Sequence, residues 1–468
     1  MGLDSITFLL FLGCLAVMQL LLPARGRVMA LLCASLAFYA VSSLNHLVLL
    51  MVLCGLNYRA AARLSGESNQ RFRTWIFVSA VVANLAVLIF YKYATGMVGQ
   101  ALAALDWHGQ ENGMLKLAAP LGLSYFTFQM LACVTDAYRQ TWKLKGGFAQ
   151  FILFGMFFPQ ISSGPIPRAQ GLWPQLAGGG HPTAEDRLAG SRLIAYGFFK
   201  KFVVANGLSE YVSTVFSDRS GANSVPVVLA CCFNALQLYA DFSGYVEIAI
   251  GSARFLGIRL DANFDRPFVS TSVTEFWRRW HMTLSSWLRD YLYMPLAIRI
   301  RGLGKLGIVL AMLFTFAICG IWHAATWPFL LFGVVQGVAL AFELLTKSWR
   351  NKRLKQVPKR MIAWAGSFYT LGFFVLSQVL FRSVDLAQAR QIYSRLFHVR
   401  MAGGLHGLLG AGPFTIGVAF AAILAWMGTV YFLKRTTDRT TPWFLVFCAA
   451  LILWLGHFGS GRFIYAAF

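Results

Sequence analysis

Two histidines stand out among the residues able to move a proton. His323 lies in Cys319-Gly-Ile-Trp-His-Ala-Ala-Thr-Trp327, and between Lys305 and Glu343 it is the only acid, base or histidine. An imidazole at membrane depth is costly and is seldom kept without use. Uncharged, it offers a ring nitrogen that accepts a proton, the state a general base needs. A core histidine bonded to a helix carbonyl across a packing interface would look the same in sequence.

His281 lies in the least hydrophobic part of the centre, Asp261 to Lys305, within Thr274-Glu-Phe-Trp-Arg-Arg-Trp-His-Met-Thr-Leu-Ser-Ser-Trp-Leu-Arg-Asp-Tyr-Leu-Tyr-Met294. Read as one helix, this stretch puts Trp277, His281, Leu284 and Leu288 on one face and Arg278, Met282, Ser285 and Arg289 on the next. Such a helix suits an interfacial or re-entrant position. Its aromatics and arginines also suit simple anchoring among lipid headgroups. A third polar intrusion, Tyr239-Ala-Asp-Phe-Ser-Gly-Tyr-Val-Glu247, sets Asp241 and Glu247 inside an apolar run, six residues apart and so on different helical faces. Those acids suit a cavity lining or an ion pathway. His46, His108, His181, His398, His406 and His457 fall near span ends or in loops.

The elements that must position these groups are membrane helices. Hydrophobic residues make up 57% of the chain and charged residues 13%, too apolar a balance for water to be the main solvent. Roughly 20 apolar residues cross a bilayer. Candidate spans are 6–23, 28–43, 46–58, 75–96, 115–135, 188–206, 226–251, 306–322, 327–346, 361–381, 413–433 and 442–458. Phe148 to Gln160 is too short to cross and runs into Ile161-Ser-Ser-Gly-Pro-Ile-Pro-Arg168, whose glycine and prolines break a helix. That pattern predicts a re-entrant element surrounded by protein.

The formal charge of +23 comes from short basic clusters between spans, with no nucleic-acid-binding motif beside them. Arg25/Arg27, Arg59/Arg63/Arg71/Arg73 and Arg139/Lys143/Lys145 occupy alternate loops, which turns the N-terminus outward. Lys347 to Arg360 and Lys434, Arg435 and Arg439 fall on the cytoplasmic side, while the moderately basic 382–400 falls outside, against the bias. The eight cysteines lie mostly in apolar stretches without CxxC pairs or ligand-spaced histidines, so neither disulfides nor a metal site is expected. With no repeat and no long soluble segment, one membrane domain over 1–468 is expected, its core about 115–380.

The motifs together resemble a known family. Asp241-Phe-Ser-Gly-Tyr, Asn263-Phe-Asp-Arg-Pro-Phe268, Glu275-Phe-Trp-Arg-Arg-Trp-His281, Trp287-Leu-Arg-Asp-Tyr-Leu-Tyr293 and Gly320-Ile-Trp-His323 are similar to the membrane-bound O-acyltransferase (MBOAT) family, in its bacterial alginate O-acetyltransferase branch. The similarity extends through Leu123-Ser-Tyr-Phe-Thr-Phe128, Phe158 to Arg168 and the closing Arg462 to Phe468. One departure follows Tyr293-Met-Pro-Leu296: where the branch has a Gly-Gly-Asn-Arg-like turn, this chain reads Ala297-Ile-Arg-Ile-Arg-Gly302.

The resemblance implies an all-α polytopic bundle of about 11–12 membrane helices, with re-entrant and interfacial helices around a central funnel. It implies His323 as the buried catalytic histidine and His281 as its second. It further implies that the enzyme takes acetyl from a cytoplasmic thioester, acetyl-CoA or an acyl carrier, with no bound cofactor. The acetyl group would serve O-acetylation of an extracellular polysaccharide, alginate or cellulose, with periplasmic SGNH-type acetyltransferases completing the transfer. Along the path, Trp277, Arg278, Arg279, Trp280, Arg289, Asp290, Asp241, Ser243 and Trp322 are the expected substrate contacts. Arg278, Arg279 and Arg289 suit donor phosphates, since guanidinium forks match phosphate oxygens. Acetyl or D-alanyl transfer to peptidoglycan or teichoic acid is the alternative within the same chemistry. A proton-coupled transporter with Asp241, Glu247 and His323 as its relay is the alternative outside it.

Overall fold

In a computed structural model the described residues are 2–94, 119–217, 224–397, 413–433 and 436–458. They are helical, without a strand among them. His108, His398, His406, Lys434, Arg435 and the closing motif 462–468 lie outside the described residues.

The chain divides into two compact units, 1–191 with 248–261, and 192–247 with 262–468. The first contains α1 (Ile6–Leu21), α2 (Ala24–Ala40), α3 (Leu44–Gly66), α4 (Gln70–Ile89), α5 (Leu123–Tyr138), α6 (Phe148–Met156), α7 (Phe158–Ile161) and α8 (Ala169–Ala177). Then come α9 (Ala184–Phe199), the π-helical turn Lys200–Ala205, α10 (Asn206–Ser217) and α11 (Ser224–Phe255). The second unit continues with α12 (Val273–Arg279), α13 (Met282–Leu288), a π-helical turn Arg289–Tyr293, α14 (Met294–Arg299), α15 (Gly304–His323), α16 (Trp327–Arg353), α17 (Lys359–Arg382), α18 (Leu386–Phe397), α19 (Pro413–Leu433) and α20 (Thr441–Leu455).

Six described helices are long and apolar enough to cross a membrane: Leu44–Gly66, Gln70–Tyr93, Ser224–Phe255, Arg301–His323, Trp327–Arg353 and Lys359–Arg382. This is a multi-pass membrane protein. The α4 span buries only 11% of its apolar window, so Trp75, Val78 and Val82 stand exposed where lipid takes the place of a core. The expected span 188–206 has a different form. It belongs to one helical run, Ala184 to Ser217, whose π-helical turn carries two buried lysines.

The interrupted segment at 148–168 forms as its glycine and prolines demand. Helices α6 and α7 meet at Phe157, and Phe151 through Ile166 are buried within the first unit. Breaking a helix frees carbonyls that lipid cannot satisfy. Here Gln129 and Gln160 donate their side-chain amides to the Phe154 carbonyl at 2.6 and 3.0 Å. Phe158 is fixed by Phe8, Phe11 and Phe38, with ring centroids 5.2 to 6.1 Å away.

One expectation is overturned. The stretch 274–294 is not a single helix: α12 ends at Arg279, Trp280 is extended, His281 is left-handed at φ 44°, and α13 starts at Met282. Neither glycine nor proline marks the break. Competition for the backbone makes it, since Asn263 accepts the Met282 N–H and Asp265 donates its own N–H to the Arg279 carbonyl, each at 2.9 Å. Trp277, His281 and Leu284 therefore do not share a helix face, yet all three reach one cavity. The departing sequence after Leu296 continues as helix to Arg299 instead of turning.

Candidate active site

His281 is held at the break by Asn263. The Asn263 side-chain oxygen lies 3.3 Å from His281 Nδ1 and accepts the Thr283 N–H at 3.1 Å and the Thr283 hydroxyl at 2.9 Å. An amide oxygen can only accept, so Nδ1 carries the proton and Nε2 is the acceptor nitrogen of the neutral ring. Burial pushes the His281 pKa down to about 3, which keeps the ring neutral at physiological pH. A left-handed non-glycine residue costs roughly 1–3 kcal/mol. The Asn263 bonds and the Phe242 ring, edge-on at 4.8 Å, hold it there.

His323 ends α15, buried against Trp322, Phe329 and Phe381 at centroid separations of 4.7, 6.2 and 5.1 Å. Its position follows from close packing of α15 on α16. A Cβ on Gly320 would strike the Phe329 carbonyl oxygen, and one on Gly333 the Phe316 carbonyl oxygen. Glycine lets the two backbones approach, as small residues do in membrane helix pairs.

Helix α16 also fixes α12. Gln336 accepts the Trp277 indole N–H at 3.1 Å. Two turns on, the buried Glu343 carboxylate accepts the Val273 and Thr274 N–H groups at 2.6 and 2.9 Å and the Thr274 hydroxyl at 2.6 Å. Both imidazoles are thus referenced to one helix, His323 through glycine packing and His281 through polar clamps.

The two histidines line the same narrow cavity with Leu238, Trp277, Trp280, Leu284, Phe332, Phe374, Gln378 and Phe381. Its volume is about 10 Å³, roughly what one water occupies. Of the expected contacts, Trp277 and Trp280 line it, and Trp322 is buried against His323.

The other expected contacts sit elsewhere. Arg278 is exposed. Arg279 is paired with Glu275 at 3.0 Å and Asp265 at 3.2 Å. The Thr271 N–H, its hydroxyl and Arg279 hold the Glu275 carboxyl below the usual range. Arg289 is exposed and paired at 2.7 Å with its half-buried neighbour Asp290.

Asp241 and Ser243 belong to a buried ionic cluster. Lys201 donates to Asp241 at 2.5 Å, and Lys200 donates to Ser243 at 3.1 Å and Glu247 at 2.7 Å. The Lys200 ammonium also lies over the Tyr196 and Tyr239 rings, at 4.4 and 5.1 Å. With both acids neutralised by lysines, the relay of Asp241, Glu247 and His323 loses its support. Sequence reasoning missed these lysines and also Gln336, Glu343 and Gln378. The available signal was a polar residue inside an otherwise apolar helix, the same signal that singled out His323.

Two buried imidazoles thus line one aromatic cavity inside a polytopic helical membrane protein. The sequence comparisons specify the class. The model of the MBOAT, membrane-bound O-acyltransferase family, matches residues 34–384, and the chain belongs to that family. It is 32% identical over 403 residues, covering 84% of this chain and 77% of the relative, to a probable alginate O-acetylase, AlgI, of Azotobacter vinelandii. It is also 30% identical over 390 residues to a peptidoglycan O-acetyltransferase of Helicobacter pylori, covering 77% of this chain and 72% of the relative. A teichoic acid D-alanyltransferase of Bacillus subtilis is 25% identical over 401 residues, covering 80% and 97%. The chain is an acyltransferase.

Proposed function

We propose that this enzyme transfers acetyl from a cytoplasmic phosphopantetheine thioester, acetyl-CoA or an acetylated carrier protein, for O-acetylation of an extracellular polysaccharide. The observation that carries this reading is the convergence of His281 and His323 on one narrow cavity.

In the transfer, one nitrogen of His323 takes the proton of the attacking hydroxyl while the new C–O bond forms at the acetyl carbon. The tetrahedral intermediate collapses with loss of the C–S bond, and the imidazolium returns the proton to the departing thiolate. A neutral His281 with its proton at Nδ1 presents Nε2 as an acceptor. That suits orienting a hydroxyl or another donor group, and not oxyanion donation.

The resemblance to the alginate branch favours alginate or cellulose as the polymer, with SGNH-type enzymes receiving the group on the periplasmic side. The basic loops favour an inner-membrane position with the N-terminus in the periplasm. Exposed Arg278 is the arginine best placed to meet donor phosphates, since Arg279 and Arg289 already have carboxylate partners. Peptidoglycan or teichoic acid as acceptor is the second reading, favoured by the relatives that act on those polymers.

The test is to make His323→Ala and His281→Ala separately, confirm equal membrane insertion by quantitative blot, and measure ester acetate on alginate, cellulose and peptidoglycan and D-alanine on teichoic acid. Loss of acetate from one polymer in both variants is expected. Full acylation of every polymer in both variants overturns the reading.

A further inference from the structure

The cavity holds one polar side chain besides the histidines and the two indoles. Gln378, on α17, is 1% exposed, lines the cavity between Phe374 and Phe381, and its Oε1 has no hydrogen-bond partner among the described residues. Its neighbours are apolar: Leu238, Leu284 and the rings of Phe332, Phe374 and Phe381. A buried carbonyl oxygen left unmatched costs roughly 1–3 kcal/mol. Native interiors keep such a group where a ligand or water completes it.

We infer that Gln378 is a substrate-contacting residue whose carboxamide hydrogen-bonds the amide of the donor's phosphopantetheine arm, Oε1 accepting the N–H nearest the thioester. The inference rests on the proposed use of a pantetheine thioester. The missing partner of Oε1 is a donor. In a thioester arm the first donor beyond the sulfur is an amide N–H two carbons away, close enough to be gripped while the acetyl carbon faces the imidazoles. The attacking hydroxyl does not fill the role, because its single proton goes to His323. Gripping the arm on a rigid helix holds the thioester in a reactive pose, which is how orientation lowers a barrier. No bond is made or broken at Gln378, and the arm leaves with the thiol when the C–S bond breaks.

The test uses full-length protein in lipid nanodiscs together with an SGNH-type acetyltransferase and an alginate or a cellulose oligosaccharide as acceptor, with thiol release as readout. Four donors are compared: acetyl-CoA, an acetylated carrier protein, the acetyl thioester of N-acetylcysteamine, which keeps the amide N–H, and S-acetyl butanethiol, which lacks it. Gln378→Leu is expected to lower kcat/KM about tenfold for amide-bearing donors, the scale of one hydrogen bond in a dry site, and to leave the amide-free donor unchanged. Gln378→Glu, which keeps an acceptor oxygen in place, is expected to retain the preference for amide-bearing donors. Acetyl-CoA and the carrier arm separate the two donor sources, because only a donor that reaches the cavity shows the effect. An equal fall for amide-bearing and amide-free donors in Gln378→Leu, or no fall with any donor, overturns the assignment. Wild-type thiol release no higher than that of His323→Ala instead overturns the proposed function, a separate outcome.

Discussion

The Glu343 carboxylate, in the middle of α16, accepts the Val273 N–H at 2.6 Å and so fixes the start of α12, whose other end delivers His281. A helix of seven residues has little stability of its own. Its direction is imposed from outside, by Glu343 at one end, Gln336 on Trp277 in the middle and Asn263 beyond the break.

Removing that clamp should therefore act on turnover. Glu343→Ala leaves buried N–H groups unmatched, at roughly 1–3 kcal/mol, and is expected to lower kcat at least tenfold with little change in donor KM. Glu343→Gln, with one acceptor oxygen left, should fall between. Steady-state kinetics on the reconstituted enzyme decides the matter, and a change confined to KM would contradict the positioning role.

The depressed His281 pKa carries a pH consequence. The folded ring titrates at about 3 and the unfolded one near 6.5, so below pH 6.5 the unfolded chain binds a proton that the folded chain refuses. The stability this group contributes is present above pH 6.5 and is lost as pH falls toward 3. Between pH 6.5 and 5 the loss is about 2 kcal/mol. Thermal unfolding at the two pH values should show a smaller drop in His281→Gln than in wild type. An identical drop in both would show that folding does not depress the His281 pKa.

The buried ionic cluster predicts a stability effect. Lys201→Met and Asp241→Leu each remove one partner of a buried ion pair, a change worth roughly 3–5 kcal/mol. The double variant, which removes both charges, should recover most of the loss. Melting temperatures in detergent test this, and additive losses in the double variant would argue against a coupled pair.

Helix packing at His323 predicts a steric effect. Gly333→Val must push against the Phe316 carbonyl and is expected to separate α15 from α16 and abolish transfer. Gly372→Ala, on α17 with nothing within 4 Å of the added Cβ, is the matched control and should leave activity unchanged. Loss of activity in both, or in neither, would sever the link between glycine packing and the site.

Much of the architecture was legible because lipid makes the code local. A run of apolar residues is a helix in a membrane, since every backbone group must be satisfied within the segment. The boundaries of α1, α15 and α19 accordingly lie within a few residues of those expected. The same logic exposed His323, one imidazole in an apolar run, and the re-entrant break at 157–166. The continuous helix through His281 was misread because 3.6-residue periodicity persists on both sides of a break that no glycine or proline marks.

The sequence alone determined the membrane-spanning character, the two histidines and the family's motifs, because each is written in contiguous residues. The tertiary structure decided that Asp241 and Ser243 face lysines, that Glu343 and Gln336 hold α12, and that Gln378 shares the cavity of the imidazoles. Those relations join residues far apart in the chain. A buried glutamine or lysine in a membrane helix shows only that some partner exists, and packing alone selects which one.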